Sequence, residues 1–271
     1  MIVVTGASGR LGGRVARLLD GPMRLVVRDA ARAPSIASAE VAVASYADGE
    51  AVRRALSGAG TVLMVSAAET PSRVAEHTSF VDAAAAAGVG HLVYISFAGA
   101  SPGATFTLAR DHWATEQHIR ASGLPFTFLR DNLYADFLPF MVGADGVIRG
   151  PAGDGRAAVV AQDDIAEAAV TVLRDPAAHA GRTYTLTGPE ALTMTEIAAT
   201  LTAAGRPARF HDETIAEAYE SRRAYQAPDW QLDAWVSTYT AIAAGELAEV
   251  TRDVPELTGR PATSLAELLT R

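Results

Sequence analysis

Within its first twelve residues the chain commits to a strand that turns into a helix through a glycine-spaced loop. Ile2-Val3-Val4-Thr5 is apolar and β-branched. Gly6-Ala7-Ser8-Gly9-Arg10-Leu11-Gly12 follows, and Leu11, Val15, Leu18 and Leu19 then fall on helical spacing. Such a turn aims the free N–H groups of a helix's first turn, and the positive end of its dipole, at one point, which suits an anion. Gly6 is expected to make the tight turn, Gly9 to let the backbone approach a pyrophosphate, and Gly12 to let the helix pack close to the strand. A glycine triplet alone is weak evidence. In this strand–loop–helix context it marks a dinucleotide site rather than a structural turn.

The second strand identifies the dinucleotide. About 20 residues past the loop an acidic side chain ordinarily binds the ribose 2′-OH of NAD. Here Met23-Arg24-Leu25-Val26-Val27 ends in Arg28. A guanidinium suits the 2′-phosphate of NADP through a bidentate fork, and Arg10 could flank the same phosphate. Two alternatives stay open: Arg28 as a surface residue paired to Asp29, and Asp29 as a ribose ligand for NAD. NADP(H) is the expected cofactor.

Composition removes several chemistries. The 271 residues contain no cysteine, which excludes disulfides, thiolate metal sites and a cysteine nucleophile. All 23 cationic side chains are arginine. No lysine Schiff base, lysine general base or Tyr-x-x-x-Lys pair can exist. The net charge of −8 argues against a nucleic-acid partner. No apolar run approaches the ~20 residues that span a membrane, and the sequence opens directly on a strand, so the expectation is a cytoplasmic protein. His77, His91, His118, His179 and His211 show no ligand spacing, and no metal is expected.

Strand and helix patterns alternate through the first half. Strands are expected at 41–44, 61–65, 91–96 and 125–130. Helices are expected through Val52 and Leu56, over 72–87 and over 108–121, closed by Gly58, Gly88 and Gly123. Apolar strands separated by helices imply right-handed βαβ units and a parallel sheet. After Arg130 the rhythm breaks into an aromatic stretch and a glycine-rich one. Thr193-Met194-Thr195-Glu196 and Ser264-Leu265-Ala266-Glu267 have the form of capping boxes. The expected fold is α/β: a Rossmann-type doubly wound parallel sheet with a smaller α+β C-terminal domain. The first domain would span 1–132, with 156–176 returning to it, and the second 133–271.

Four stretches, Thr5-Gly6-Ala7-Ser8-Gly9-Arg10-Leu11-Gly12, Val27-Arg28-Asp29, Ala86-Ala87-Gly88-Val89 and Val93-Tyr94-Ile95-Ser96, resemble the NmrA-like group of atypical short-chain dehydrogenases. Thr115-Glu116-Gln117, Leu129-Arg130-Asp131-Asn132-Leu133-Tyr134, Ala152-Gly153-Asp154-Gly155-Arg156 and Gly259-Arg260-Pro261-Ala262-Thr263-Ser264-Leu265 are similar to the type 2 NADPH-dependent quinone oxidoreductases. The likeness covers nearly the whole chain. It implies an NADP(H)-binding domain, a smaller domain over the cleft and a quinone acceptor. It suggests Gly6, Ser8, Gly9, Arg10, Leu11, Gly12 and Arg28 as cofactor ligands, with Asp48 near the adenine and Ser66 at the end of the fourth strand. There are departures. Gln117 stands where the family often has Lys, and Trp113 where ordinary short-chain dehydrogenases have the catalytic Tyr.

Without the Tyr–Lys relay, ordinary carbonyl reduction loses its proton donor. A quinone is more forgiving, since hydride transfer gives a delocalised, weakly basic anion. Positioning then becomes the main task. Candidate catalytic residues are His112 as a proton donor, against a surface or capping histidine; Tyr134 as a substrate-orienting group, against plain packing; and Asn132 at a strand end, against a turn residue. Ser96 is a candidate ligand of substrate or cofactor ribose. Phe210, Tyr219, Tyr225, Trp230, Trp235 and Tyr239 could roof a planar substrate or simply form core. The expected partner is a small aromatic or quinone-like molecule, with no nucleic acid and no membrane, and a homodimer stays open. The expected function is NADPH-dependent hydride transfer to a quinone-like or enone molecule. The alternative is a non-catalytic NADP(H)-sensing regulator that binds a protein partner.

Overall fold

The structure, a computed structural model, describes residues 1–270. Strand β1 (Ile2–Thr5) leads into α1 (Arg10–Leu18), followed by β2 (Met23–Val27), β3 (Ala39–Val43), α2 (Gly49–Ala55), β4 (Thr61–Met64), α3 (Arg73–Ala86), β5 (His91–Phe97), α4 (Thr107–Ala121) and β6 (Phe126–Asp131). Then come β7 (Val147–Gly150), β8 (Arg156–Ala157), α5 (Gln162–Arg174), β9 (Thr183–Leu186), β10 (Leu192–Thr193), α6 (Met194–Ala203), β11 (Arg209–Asp212), α7 (Ile215–Arg222), α8 (Asp229–Ala243), α9 (Asp253–Thr258) and α10 (Leu265–Leu269). Seven strands form one sheet in the order β3-β2-β1-β4-β5-β6-β9. The β1–β2, β1–β4, β2–β3 and β4–β5 pairs are all parallel. The order reverses beside β1, so the glycine loop stands at the switch point where open α/β sheets bind ligands.

Alternation along the strands explains both faces. Val3, Val26, Val62, Met64, Leu92, Tyr94 and Phe128 join a core with Val52 of α2 and its C-cap residue Leu56, Phe80 and Val81 of α3 and Ile119 of α4. Their neighbours Val4, Leu25, Leu63 and Val93 are equally buried and, by the two-residue period, belong to the opposite face. That is why the strands are continuously apolar in sequence.

The chain divides into two compact units. The first collects 1–97, 111–130 and 163–184. The second collects 98–110, 131–162 and 185–271. The sequence places the return at 156–176 and assigns 98–110 to the first domain; the structure differs on both. Segment 98–110 is held within the second unit, where the Thr105 N–H and hydroxyl donate to the Glu246 carboxylate and the Thr107 N–H donates to Ser237 Oγ. The second unit also contains the two-stranded sheets β7–β11 and β8–β10. Both anticipated capping boxes form, at Thr193–Glu196 and Ser264–Glu267, and a third forms at Thr214–Glu217. Among the described residues, no helix is long and apolar enough to cross a membrane.

Candidate cofactor site

A cavity of about 240 Å³ lies at the carboxyl ends of β1 to β4 in the first unit. Gly6, Ser8 and Gly9 form its floor, Arg28 and Arg32 one side, Ser45 and Tyr46 another, and Val65–Ala68 with Glu76 the far wall. Gly6 has φ +61°, a left-handed conformation that favours glycine. At Gly12 an added Cβ would sit 2.4 Å from the Gly6 carbonyl oxygen and 2.8 Å from that of Thr5. Only glycine therefore lets α1 pack this close to the loop. At Gly9 the nearest atom would be the Gly6 carbonyl oxygen at 3.1 Å, so the protein itself nearly tolerates a side chain there.

Helix α1 begins after Gly9 with no side-chain cap and no acidic residue in its first turn. Its first N–H groups stay available to an anion. Arg10 is the first helical residue and is exposed, whereas Leu11 is buried in the core. The loop is tied down from behind. The Val65 N–H donates to Thr5 Oγ1 at 3.0 Å, Tyr46 Oη donates to the Val65 carbonyl at 2.7 Å, and the Thr5 and Tyr46 hydroxyls are bonded to each other. Burial pushes the Tyr46 hydroxyl well above the ordinary phenol range.

The acid that could have bound a ribose is occupied. The Asp29 carboxylate accepts from the Ala31 N–H at 3.0 Å and caps the short turn Ala30–Arg32. Among the described residues, Arg28 and Arg32 form no ion pair with a carboxylate, Asp29 included. Two unpaired guanidiniums therefore stand at one end of the cavity. Arg32 was missed in the sequence, although its position four residues after Arg28, across a capping Asp, was a usable signal. Tyr46 carried no signal beyond following the third strand.

Gly6, Ser8, Gly9, Arg28 and Ser66 line this one cavity. Five other candidates are bonded within the protein. Asp48 caps α2 by accepting from the Ala51 N–H at 2.9 Å and does not line the cavity. Ser96 is fully buried and donates to Glu116 Oε1 at 2.6 Å; Arg130 grips the same carboxylate at 2.8 and 2.6 Å. Its hydroxyl answers a buried charge. Asn132 is buried in the second unit, with Nδ2 donating to the Leu247 carbonyl at 3.0 Å and Oδ1 accepting from the Leu133 N–H at 2.7 Å.

His112 is also neither free nor on the surface. Its Nε2 lies 3.0 Å from Arg73 Nη2 and its Nδ1 2.9 Å from Tyr94 Oη. Arginine can only donate, so Nε2 accepts and the ring proton sits on Nδ1. Burial, reinforced by the Arg73 charge, holds the imidazole well below its ordinary pKa. A neutral ring with both nitrogens engaged is a poor proton donor. Tyr134, half-buried in the second unit, donates to Asp131 Oδ2 at 2.7 Å and stacks on Phe137.

The second unit has its own cavity of about 600 Å³, lined by Phe140, Met141, Tyr225, Trp235 and Tyr239 among others. Three of the six aromatics singled out in the sequence therefore face one space; Phe210, Tyr219 and Trp230 do not. Arg222 beside it is saturated by Glu213, the Ala218 carbonyl and the Arg149 carbonyl. Arg149 is paired to Asp145.

Known proteins match along the chain. The NmrA-like family model matches residues 1–221. Quinone oxidoreductase 2 of Escherichia coli is 33% identical over 280 residues, covering 98% of this chain and 96% of that protein. A (4-alkanoyl-5-oxo-2,5-dihydrofuran-3-yl)methyl phosphate reductase of Streptomyces griseus is 38% identical over 270 residues, covering 97% and 94%. The crystal structure of the Escherichia coli NADPH-dependent quinone oxidoreductase in complex with NADPH superposes with a TM-score of 0.90 at 31% identity, covering 100% of this chain and 99% of that one. With its glycine loop, its Arg28 wall and this match over most of its length, the chain belongs to the NmrA-like family.

Proposed function

We propose that the protein is an NADPH-dependent reductase of planar conjugated acceptors, quinones or enones. One observation carries the cofactor half of this reading. Arg28 and Arg32 stand unpaired at the cavity while Asp29 is spent on a cap. A phosphate monoester between two guanidiniums gains charge-assisted, bidentate hydrogen bonds. The free N-terminus of α1 would take the pyrophosphate. NADPH held there supplies a hydride.

The chain's own groups favour an acceptor that needs no strong acid. There is no lysine. Burial raises the Tyr46 and Tyr94 hydroxyls above the ordinary phenol range and makes them weaker acids. His112 is neutral and fully bonded. An ordinary ketone, whose reduction generates a strongly basic alkoxide, finds no well-tuned donor among these residues. A quinone or unsaturated lactone gives a delocalised product anion that water can protonate. Two relatives, a quinone oxidoreductase and a reductase of an alkanoyl-substituted dihydrofuranone phosphate, fit that class.

The test is NADPH absorbance followed after addition of menadione, a cyclic enone or cyclohexanone. Oxidation with the first two but not the third is expected. Tight NADPH binding with no oxidation by any acceptor would overturn the enzyme reading and favour a cofactor sensor.

A further inference from the structure

The far wall of the cofactor cavity is a peptide segment, Val65 to Ala68, held in an unusual way. Val65 has both backbone groups taken by side chains, Thr5 receiving its N–H and Tyr46 donating to its carbonyl. Ala67 repeats the arrangement with different residues. Its N–H donates to His77 Nε2 at 2.8 Å, and its carbonyl accepts from Arg73 Nε at 3.1 Å. Between them, Ser66 lines the cavity, and its N–H, carbonyl and hydroxyl have no partner among the described residues.

Both groups that grip Ala67 are buried on α3 and anchored on α4. Because His77 Nε2 accepts, its proton sits on Nδ1 and is donated to Thr115 Oγ1 at 2.8 Å; that hydroxyl donates in turn to the Asp111 carbonyl. Arg73 spends Nη2 on His112, whose Nδ1–H is donated to Tyr94 Oη. Each chain of hydrogen bonds has one direction and one tautomer. His77 is fully buried and Arg73 nearly so.

We propose that Arg73 and His77 are positioning residues for the dinucleotide: by consuming both backbone groups of Ala67 they hold the three free hydrogen-bonding groups of Ser66 at the cavity for the cofactor. This rests on the NADPH-binding reading above. Neither residue touches the cavity itself, and neither belongs to a glycine-loop motif. They act through a peptide whose unsatisfied amide would otherwise turn and rebond elsewhere.

The experiment measures NADPH dissociation constants by calorimetry, alongside thermal melting. His77→Ala should weaken NADPH about tenfold or more. His77→Gln, which can accept from Ala67 and donate to Thr115, should recover most of the loss. His91→Ala is the matched control: a buried histidine of the same unit, bonded to Thr127 at 2.9 Å and absent from the cavity. It should lower the melting temperature yet keep the NADPH constant within about twofold. Should His77→Ala not fold, Arg73→Lys, which keeps a buried cation but cannot serve Ala67 and His112 together, must show the same weakening. Unchanged NADPH affinity in folded His77→Ala, or an equal loss in His91→Ala, overturns the clamp. Failure of the wild-type protein to bind NADPH would overturn the functional reading first, and the clamp with it.

Discussion

Acidification should destabilise this protein well before its carboxylates titrate, and His77 supplies the magnitude. Burial, with a smaller push from the Arg73 charge, lowers its pKa from 6.5 to about 3. The unfolded chain therefore takes up a proton near pH 6.5, while the folded ring stays neutral. Proton uptake then favours unfolding. The stability is fully present above the unfolded value and is lost as pH falls from there towards about 3. Between pH 7 and 5 linkage gives a loss of roughly 2 kcal/mol from this one ring, approaching ~1.4 kcal/mol per further pH unit. His112 and His91 are shifted in the same direction and add to the loss. Asp111, raised by burial, works against it. The lowered carboxyls Glu50, Asp145, Glu196 and Glu217 lose their contribution below the ordinary carboxylate range, outside this window. Urea unfolding at pH 7, 6 and 5 reads the slope. His77→Gln removes the titrating group, so its loss between pH 7 and 5 should be smaller than that of the wild type by roughly 2 kcal/mol. Identical pH slopes in the two proteins would refute the reasoning, because the burial of a neutral His77 would then carry no linkage.

Three further outcomes bear on the site. Arg28→Ala and Arg32→Ala should each weaken NADPH by roughly 1.5–3 kcal/mol and leave NADH nearly unchanged; dissociation constants in low salt test this, and equal losses for both cofactors would remove the 2′-phosphate assignment. Gly9→Val should keep the fold but abolish NADPH binding, whereas Gly12→Ala should lower the melting temperature itself, since its Cβ would meet the Gly6 carbonyl oxygen at 2.4 Å; melting and calorimetry on both variants separate the two roles. Tyr134→Phe should keep menadione turnover within about tenfold, because its hydroxyl is bonded to Asp131; a loss of a hundredfold or more would make it the proton donor.

Local chemistry was legible in the sequence wherever partners are near in the chain. The glycine loop, the strand–helix alternation and the capping boxes all depend on residues within a turn or two. Polar residues at strand ends were not legible. Ser96 and Asn132 stand at strand ends, where ligands often bind, and His112 on α4; the sequence could not show the partners of any of them. Ser96 is matched by Glu116, twenty residues on, and Asn132 by the carbonyl of Leu247, 115 residues away. His112 is matched by Arg73, 39 residues earlier. A hydroxyl that faces a ligand and one that satisfies a buried carboxylate look alike until the chain is folded. The same distance effect hid Arg73 and His77, which bear on the cavity only through the Ala67 peptide.

The interleaving of the two units has a consequence for the order in which the protein can assemble on the ribosome. The first unit draws on 163–184 as well as its two earlier segments. From that last piece, Asp163 pairs with Arg14 of α1, Arg174 pairs with Asp20, and the Phe128 N–H donates to the carbonyl of Arg182. A nascent chain that has emerged only to residue 130 still lacks α5 and the strand that covers the edge of β6. The unit that carries the glycine loop is therefore completed late, only after the second unit's segments 98–110 and 131–162 have left the ribosome. A fragment cut after residue 132 leaves an uncovered edge strand, open to pairing with other chains.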